Sequence, residues 1–153
     1  MRVDYFTAAP GAARAMIELE GYLNKEATGE NKLPKRLLEL VKIRASQLNQ
    51  CAYCLDMHSK DARALGETEQ RIYALSAWHE TPFFDPRERA ALSWTEALTR
   101  LTPGSVTQTL FEQVHAQFND RELSDLTLAI CAINAWNRFG VAFEPKVGSY
   151  SPA

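Results

Sequence analysis

The sequence is poor in β-formers, in cysteine, in any excess of one charge and in long apolar runs. Valine and isoleucine supply 11 of the 153 residues, against 38 for alanine and leucine, a balance that favours helix over strand. Clean apolar/polar alternation is missing, which argues against a half-buried sheet. The chain carries 17 basic and 19 acidic residues, a formal charge of −2, with no long run of either sign. Such a surface offers no electrostatic footprint for nucleic acid or an anionic membrane. An uninterrupted apolar stretch of about 18 residues is lacking, so no membrane span is expected. Near the start, MRVDYFTAAPGAARAM has no continuous apolar region and Asp4 interrupts it early. A signal peptide is therefore not expected, and a cytoplasmic protein is. Three cysteines are too few for a disulfide scaffold, and the count is odd. In a reducing compartment a close cysteine pair is more often catalytic or metal-binding than structural.

What is present is helical periodicity. Pro10 suits the first position of a helix whose apolar residues are Ala13, Met16, Ile17 and Leu23, giving a first helix over 9–26. Pro34 reopens a helix striped by Leu37, Val41 and Leu48, and a third begins near Cys51 and ends at Gly66, a residue suited to follow a helix C-terminus. A shorter helix covers about 68–78. In FDPRER, Asp85, Pro86 and Glu88 form a capping-box pattern for a helix running to about residue 101. Thr107 can cap the next one, with Val106 and Phe111 placed as a hydrophobic staple. The last helix, from Asn119 or Asp120 to Phe139, is the most apolar, so it is expected at the centre or in a subunit interface. Cys131 within it reads as a buried core thiol, and Trp94 and Trp136 as core or interface residues. From Gly140 onward the chain reads as loop. The sequence predicts an all-α fold of about six or seven helices in one domain over 1–153, with a C-terminal tail from about 144.

The chemistry concentrates in LLELVKIRASQLNQCAYCLDMHSKDA, residues 37–62, which holds Cys51, Cys54 and His58 with Glu39 twelve residues ahead of Cys51. At about 100° per residue the two cysteines and the histidine share one helix face. A helical i,i+3 pair has Cα atoms roughly 5–5.5 Å apart, inside the window for a disulfide. A helix N-terminus favours thiolate, and His58 can exchange a proton near neutral pH. Glu39, on the preceding helix, can fold back to orient that imidazole in a Glu–His–Cys relay. A zinc site would need a fourth ligand, and only the isolated His79 and His115 remain. A thioredoxin-like site would need a strand before the pair. A purely structural pair stays open on these residues alone. Trp78, Phe83 and Phe84 read as packing residues, with a pocket lining as the alternative, and His79 and His115 as exposed or capping residues.

Glu39, the twelve-residue gap, Cys51-x-x-Cys54 and His58 together resemble the alkylhydroperoxidase-D-like (AhpD) group of the carboxymuconolactone decarboxylase superfamily. DPRERAALSWTEALT, AINAWNRFGVAF and DYFTAAPGAARAMIELEGYL look like that family's later and leading helices, so the resemblance covers about 4–143. It implies an all-helical fold assembled as trimers or hexamers, and thiol-dependent reduction of hydroperoxides with an external dithiol protein as reductant and no cofactor or metal. By that resemblance Cys54 attacks the peroxide, Cys51 resolves, His58 carries the proton and Glu39 acts behind it as the base, through water. Helix-end electrostatics alone would favour Cys51 as the more acidic thiol, whereas His58, at i+4 from Cys54, favours Cys54. The chain departs from the family at Tyr53, where the active peroxidases have a second histidine, and Tyr53 titrates too high to replace it. The alternatives are lactone decarboxylase-like chemistry, against which the dithiol argues, and a non-catalytic redox-sensing or binding module.

Overall fold

The computed structural model describes residues 1–152, and among them the chain is all-α. In order, the helices are α1 (Tyr5–Ala8), α2 (Pro10–Lys25), α3 (Lys35–Asn49), α4 (Ala52–Ala64), α5 (Glu69–Ala74), a 3₁₀ helix (Leu75–Glu80), α6 (Pro86–Arg100), α7 (Gln108–His115) and α8 (Asp120–Phe143). The bundle thus has eight α-helices where six or seven were expected. The extra α-helix is the single turn α1, capped by Asp4, and the helix expected over 68–78 divides into α5 and the 3₁₀ segment.

Local signals set most of the helix ends. Asp85 accepts from the Glu88 N–H while Glu88 accepts from the Asp85 N–H, with Pro86 at the first position. Asn119 and Glu122 make the same reciprocal pair at the start of α8. The Thr107 hydroxyl accepts from the Leu110 N–H. Each such cap is worth about 1 kcal/mol. Gly66, with φ +86°, turns the chain out of α4 in the left-handed region that costs glycine nothing.

The axis of the bundle is α3, which packs on α4, α6 and α8. Every residue from Leu37 to Ser46 is buried. One core lies on its α2–α7–α8 side, built from Leu23, Leu37, Leu38, Val41, Phe118 and Leu126 among others. A second lies on the other side, where Leu40 and Ile43 meet Leu75, Trp78, Phe84 and Leu92. Trp78 and Phe84 are thus core residues, and the partly exposed Phe83 stands outside that core. A helix buried all round has nowhere to send charged side chains but into its neighbours. Glu39, Lys42 and Arg44 of α3 are all buried and all paired.

Helix α8 differs from expectation in two ways. It runs a full turn further, through Gly140 to Phe143. It is also two-faced: Leu126, Ala129, Ile130, Ile133 and Asn137 are buried, while Cys131 and Arg138 are exposed. Cys131 is therefore not a core thiol within the chain. Periodicity was hard to read here because apolar residues occupy both faces. By length and apolarity α8 would suffice to cross a membrane. Within the chain one face of it packs against α2, α3, α4 and α6, with Asp125 and Asn137 buried and hydrogen-bonded to Tyr22 and Ser46.

Candidate active site

The turn between α3 and α4 builds the site. Gln50, at φ 54°, ends α3 in the left-handed region, and the Cys51 N–H turns back to the Ser46 carbonyl. Cys51 then caps α4, its Sγ accepting from the Cys54 N–H at 3.4 Å. Cys51 and Cys54 are joined as a disulfide, with Cα atoms 5.3 Å apart. Both are buried within the chain.

Reversing direction here brings α4 back along α3. Glu39 Oε2 and His58 Nδ1 lie 2.8 Å apart. Because the carboxylate is the acceptor, Nδ1–H donates, and in the neutral ring Nε2 carries the lone pair. His58 forms one face of a cavity of about 380 Å³ together with Cys54. That volume lies near the lower end of the range for small-molecule pockets. Cys51 is not part of its wall. The cavity also meets Tyr5 and Phe6 of α1, Met57 of α4 and Trp136 of α8, so much of its surface is aromatic or apolar. The C-terminal segment adds Pro145 and Tyr150 to its wall, and the Tyr150 hydroxyl donates to Asp61 Oδ1 at 2.6 Å.

Gly140 explains why α8 continues where the sequence suggested a stop. A Cβ at this position would stand 2.6 Å from Cys51 Sγ and 3.2 Å from Cys54 Sγ. The glycine is there to let a helix backbone pass close to both sulfurs, a use of glycine that the chain pattern alone does not distinguish from a helix break.

A ring of charge surrounds the relay. Lys42 Nζ lies 3.2 Å from Glu39 Oε1 and 3.6 Å from Glu20 Oε2. Glu20 in turn accepts from Trp136 Nε1 at 3.2 Å. Burial pushes the Glu39 carboxyl up, but the His58 hydrogen bond and the Lys42 charge outweigh it and hold the group below its ordinary value. Burial pushes the Lys42 ammonium down, and Glu39 and Glu20 more than reverse that. The Tyr150 phenol is raised by burial and by its bond to Asp61. Glu39, His58 and Asp61 can bring one ligand atom each within 4.8 Å of one another. A metal there would have to share Glu39 with the Lys42 ammonium, so the donor set suits an ion-pair network better than a metal centre.

The structure therefore brings all four sequence-indicated residues, Glu39, Cys51, Cys54 and His58, into one place. It keeps His79 and His115 away from it, on the surface, paired with Glu96 and Asp120. Sequence reasoning missed Lys42, Glu20, Asp61 and Tyr150. Only Lys42 had a legible signal, a basic residue three positions after Glu39.

Comparison with known proteins agrees with this fold. The profile of the Carboxymuconolactone decarboxylase family matches residues 10–97, most of α2 to α6. The chain belongs to that family. Its kinship within the family is with the AhpD-like proteins. It is 40% identical over 148 residues to the uncharacterized protein YdfG of Bacillus subtilis, covering 97% of each chain. Among solved structures, one from Agrobacterium tumefaciens superposes with a TM-score of 0.87 at 39% identity, over 99% of this chain and 98% of that one. That protein is described as of unknown function and a candidate antioxidant defence protein AhpD. A peroxidase-related protein from Silicibacter superposes with a TM-score of 0.77 at 25% identity, over 89% and 70% of the two chains.

Proposed function

We propose that this AhpD-like protein reduces organic hydroperoxides through the Cys51–Cys54 dithiol. The observation that carries the reading is a redox pair with one sulfur's residue, Cys54, in the wall of a cavity that also holds a Glu39-bonded imidazole. In the reduced protein His58 takes the Cys54 proton through Nε2, and the thiolate attacks the outer peroxide oxygen. The O–O bond breaks, Cys54 becomes a sulfenic acid, and the leaving alkoxide takes the proton from His58 to depart as the alcohol. The Cys51 thiol then condenses with the sulfenic acid, releasing water and forming the disulfide. A dithiol protein restores the pair by exchange.

Lactone decarboxylation would use the acid–base pair and leave the two sulfurs idle. The aromatic wall of Tyr5, Phe6 and Trp136 suits a hydroperoxide with a compact apolar group. Tyr53, also in that wall, contributes surface where a second histidine would contribute a proton. Cumene hydroperoxide consumption with dithiothreitol as reductant tests the reading. Turnover lost in Cys54→Ser supports it; wild-type protein that never passes beyond the disulfide in either direction overturns it.

A further inference from the structure

Lys42 is an ammonium with 5% of its surface exposed, placed where neither the motif nor the reaction above calls for a cation. The Glu39 carboxylate is divided between two partners. Its Oε2 accepts from His58 and its Oε1 from Lys42. Building on the dithiol reading, we propose that Lys42 is a positioning residue that holds Glu39 in one ionised pose and thereby sets the acid limit of the Cys54–His58 pair.

The physics is that of a shared counter-ion. A buried carboxylate whose only cationic neighbour was His58 would favour the imidazolium and keep the base occupied. A second cation on the other oxygen satisfies much of that charge without using the imidazole. Lys42 also locks the carboxylate plane, because both oxygens are engaged, and so fixes the tautomer in which Nε2 is free for the cavity. The raised ammonium keeps this cation charged through the whole neutral range.

The surrounding groups give the proposal a sign. From α2, Glu20 reaches Lys42; from α4, Asp61 and Tyr53 face the same cavity; α1 contributes Tyr5, and the tail contributes Tyr150, bonded to Asp61. Helix α8 brings the uncharged Trp136, bonded to Glu20. Cys54 and His58 lose their first proton as a coupled pair, and that loss is favoured by nearby positive charge and opposed by negative charge. Lys42 and Glu20 therefore push the limit in opposite directions, as two residues that merely fill space would not.

The test uses full-length protein carrying Cys51→Ser and Cys131→Ser, reduced with dithiothreitol, and the pH dependence of Cys54 alkylation by iodoacetamide. Lys42→Met removes the charge and keeps the length; its midpoint is expected about one unit or more higher. Lys42→Arg retains the charge and the parent midpoint. Glu20→Gln is expected to move the midpoint down. An unmoved midpoint in Lys42→Met, or Glu20→Gln moving the same way as Lys42→Met, overturns the proposal. Circular dichroism is recorded for each variant. Should Lys42→Met unfold, Glu20→Gln decides: a downward shift supports the role and an unmoved midpoint overturns it. Alkylation reads the pair whatever the substrate. Wild-type protein that ignores peroxide would therefore sink the peroxidase reading while leaving this measurement to stand or fall alone.

Discussion

Two clusters of buried charge flank α3, and they are built differently. On the α5–α6 side, Glu67 is 1% exposed and is gripped by Arg71 through Nε at 2.8 Å and Nη2 at 3.2 Å. The same guanidinium reaches Glu88 and the Phe83 carbonyl, and lies over the Phe84 ring. On the other side Glu39 is shared by a lysine and a histidine that face a cavity. The first cluster uses a cation that never titrates and leaves it fully engaged. The second divides its carboxylate between a lysine and a histidine and leaves the imidazole a free nitrogen. Burying charge is common to both; only the second can move a proton.

The contrast can be broken at several points. The largest effect is expected at Cys54: Cys54→Ser should abolish peroxide consumption, whereas Cys51→Ser should accept one oxidising equivalent and stall as a sulfenic acid. A dimedone-type trap read by mass spectrometry checks both, and label confined to Cys54→Ser would assign the attack to Cys51 instead. Next, Arg71→Met leaves the buried Glu67 carboxylate with only the longer Arg36 contact at 3.9 Å and the Thr68 N–H, and should cost about 3 kcal/mol in urea unfolding, the low end for breaking a buried pair. It should leave the pH dependence of Cys54 alkylation where it was. A shift there would mean that the two clusters communicate through α3.

Glu39→Gln keeps the shape and removes the charge, so peroxide reduction should slow at least about tenfold, the low end for acid–base assistance. The disulfide should still form with a strong oxidant. The same variant sharpens the acid side of stability. The Glu39 carboxyl is lowered in the folded protein, so the stability it contributes is whole above its ordinary value of 4.5 and is lost as pH falls through the lowered one. Acid titration of unfolding should therefore be shallower in Glu39→Gln than in the parent. The smallest effect belongs to Cys131. Exposed on the single chain, it should react rapidly with a maleimide in native protein and leave turnover unchanged when replaced by serine. Slow labelling would mean that a second copy covers this face of α8, and light scattering would show whether the protein assembles.

Much of this was legible beforehand because it is local. The Asp85 capping box, the i,i+3 cysteine pair and the histidine one turn later are fixed by helix geometry, so residue spacing alone places them. Glu39 was legible because one short connection joins its helix to α4. Glu20 was not, and Lys42 only through its spacing from Glu39, since which charged side chains meet at a cavity depends on how α2, α3 and α8 pack together. Tyr150 reaches the cavity wall from the far C-terminal segment, and no periodic pattern reports such a meeting. Cys131 was misassigned because apolarity on all sides of α8 hides which face the neighbouring helices take. The caps were readable from four residues at a time; the cavity needed five helices at once.

The close pass of α8 over the sulfurs also constrains the order in which this site could change. With Cys51 in place, a methyl group at 140 would have to displace a sulfur atom or push α8 away. With Cys51 replaced by alanine, the nearer obstacle is gone and only the looser contact with Cys54 remains. The two positions are therefore epistatic in one direction. Cysteine 51 can be lost while the glycine stays, but the glycine cannot readily be lost first. A combinatorial library at 51 and 140 should populate three corners of that square and leave the fourth, Cys51 with a side chain at 140, nearly empty among folded proteins. The notch in α8 thus acts as a lock on mutational paths, keeping the dithiol the earlier of the two features to go.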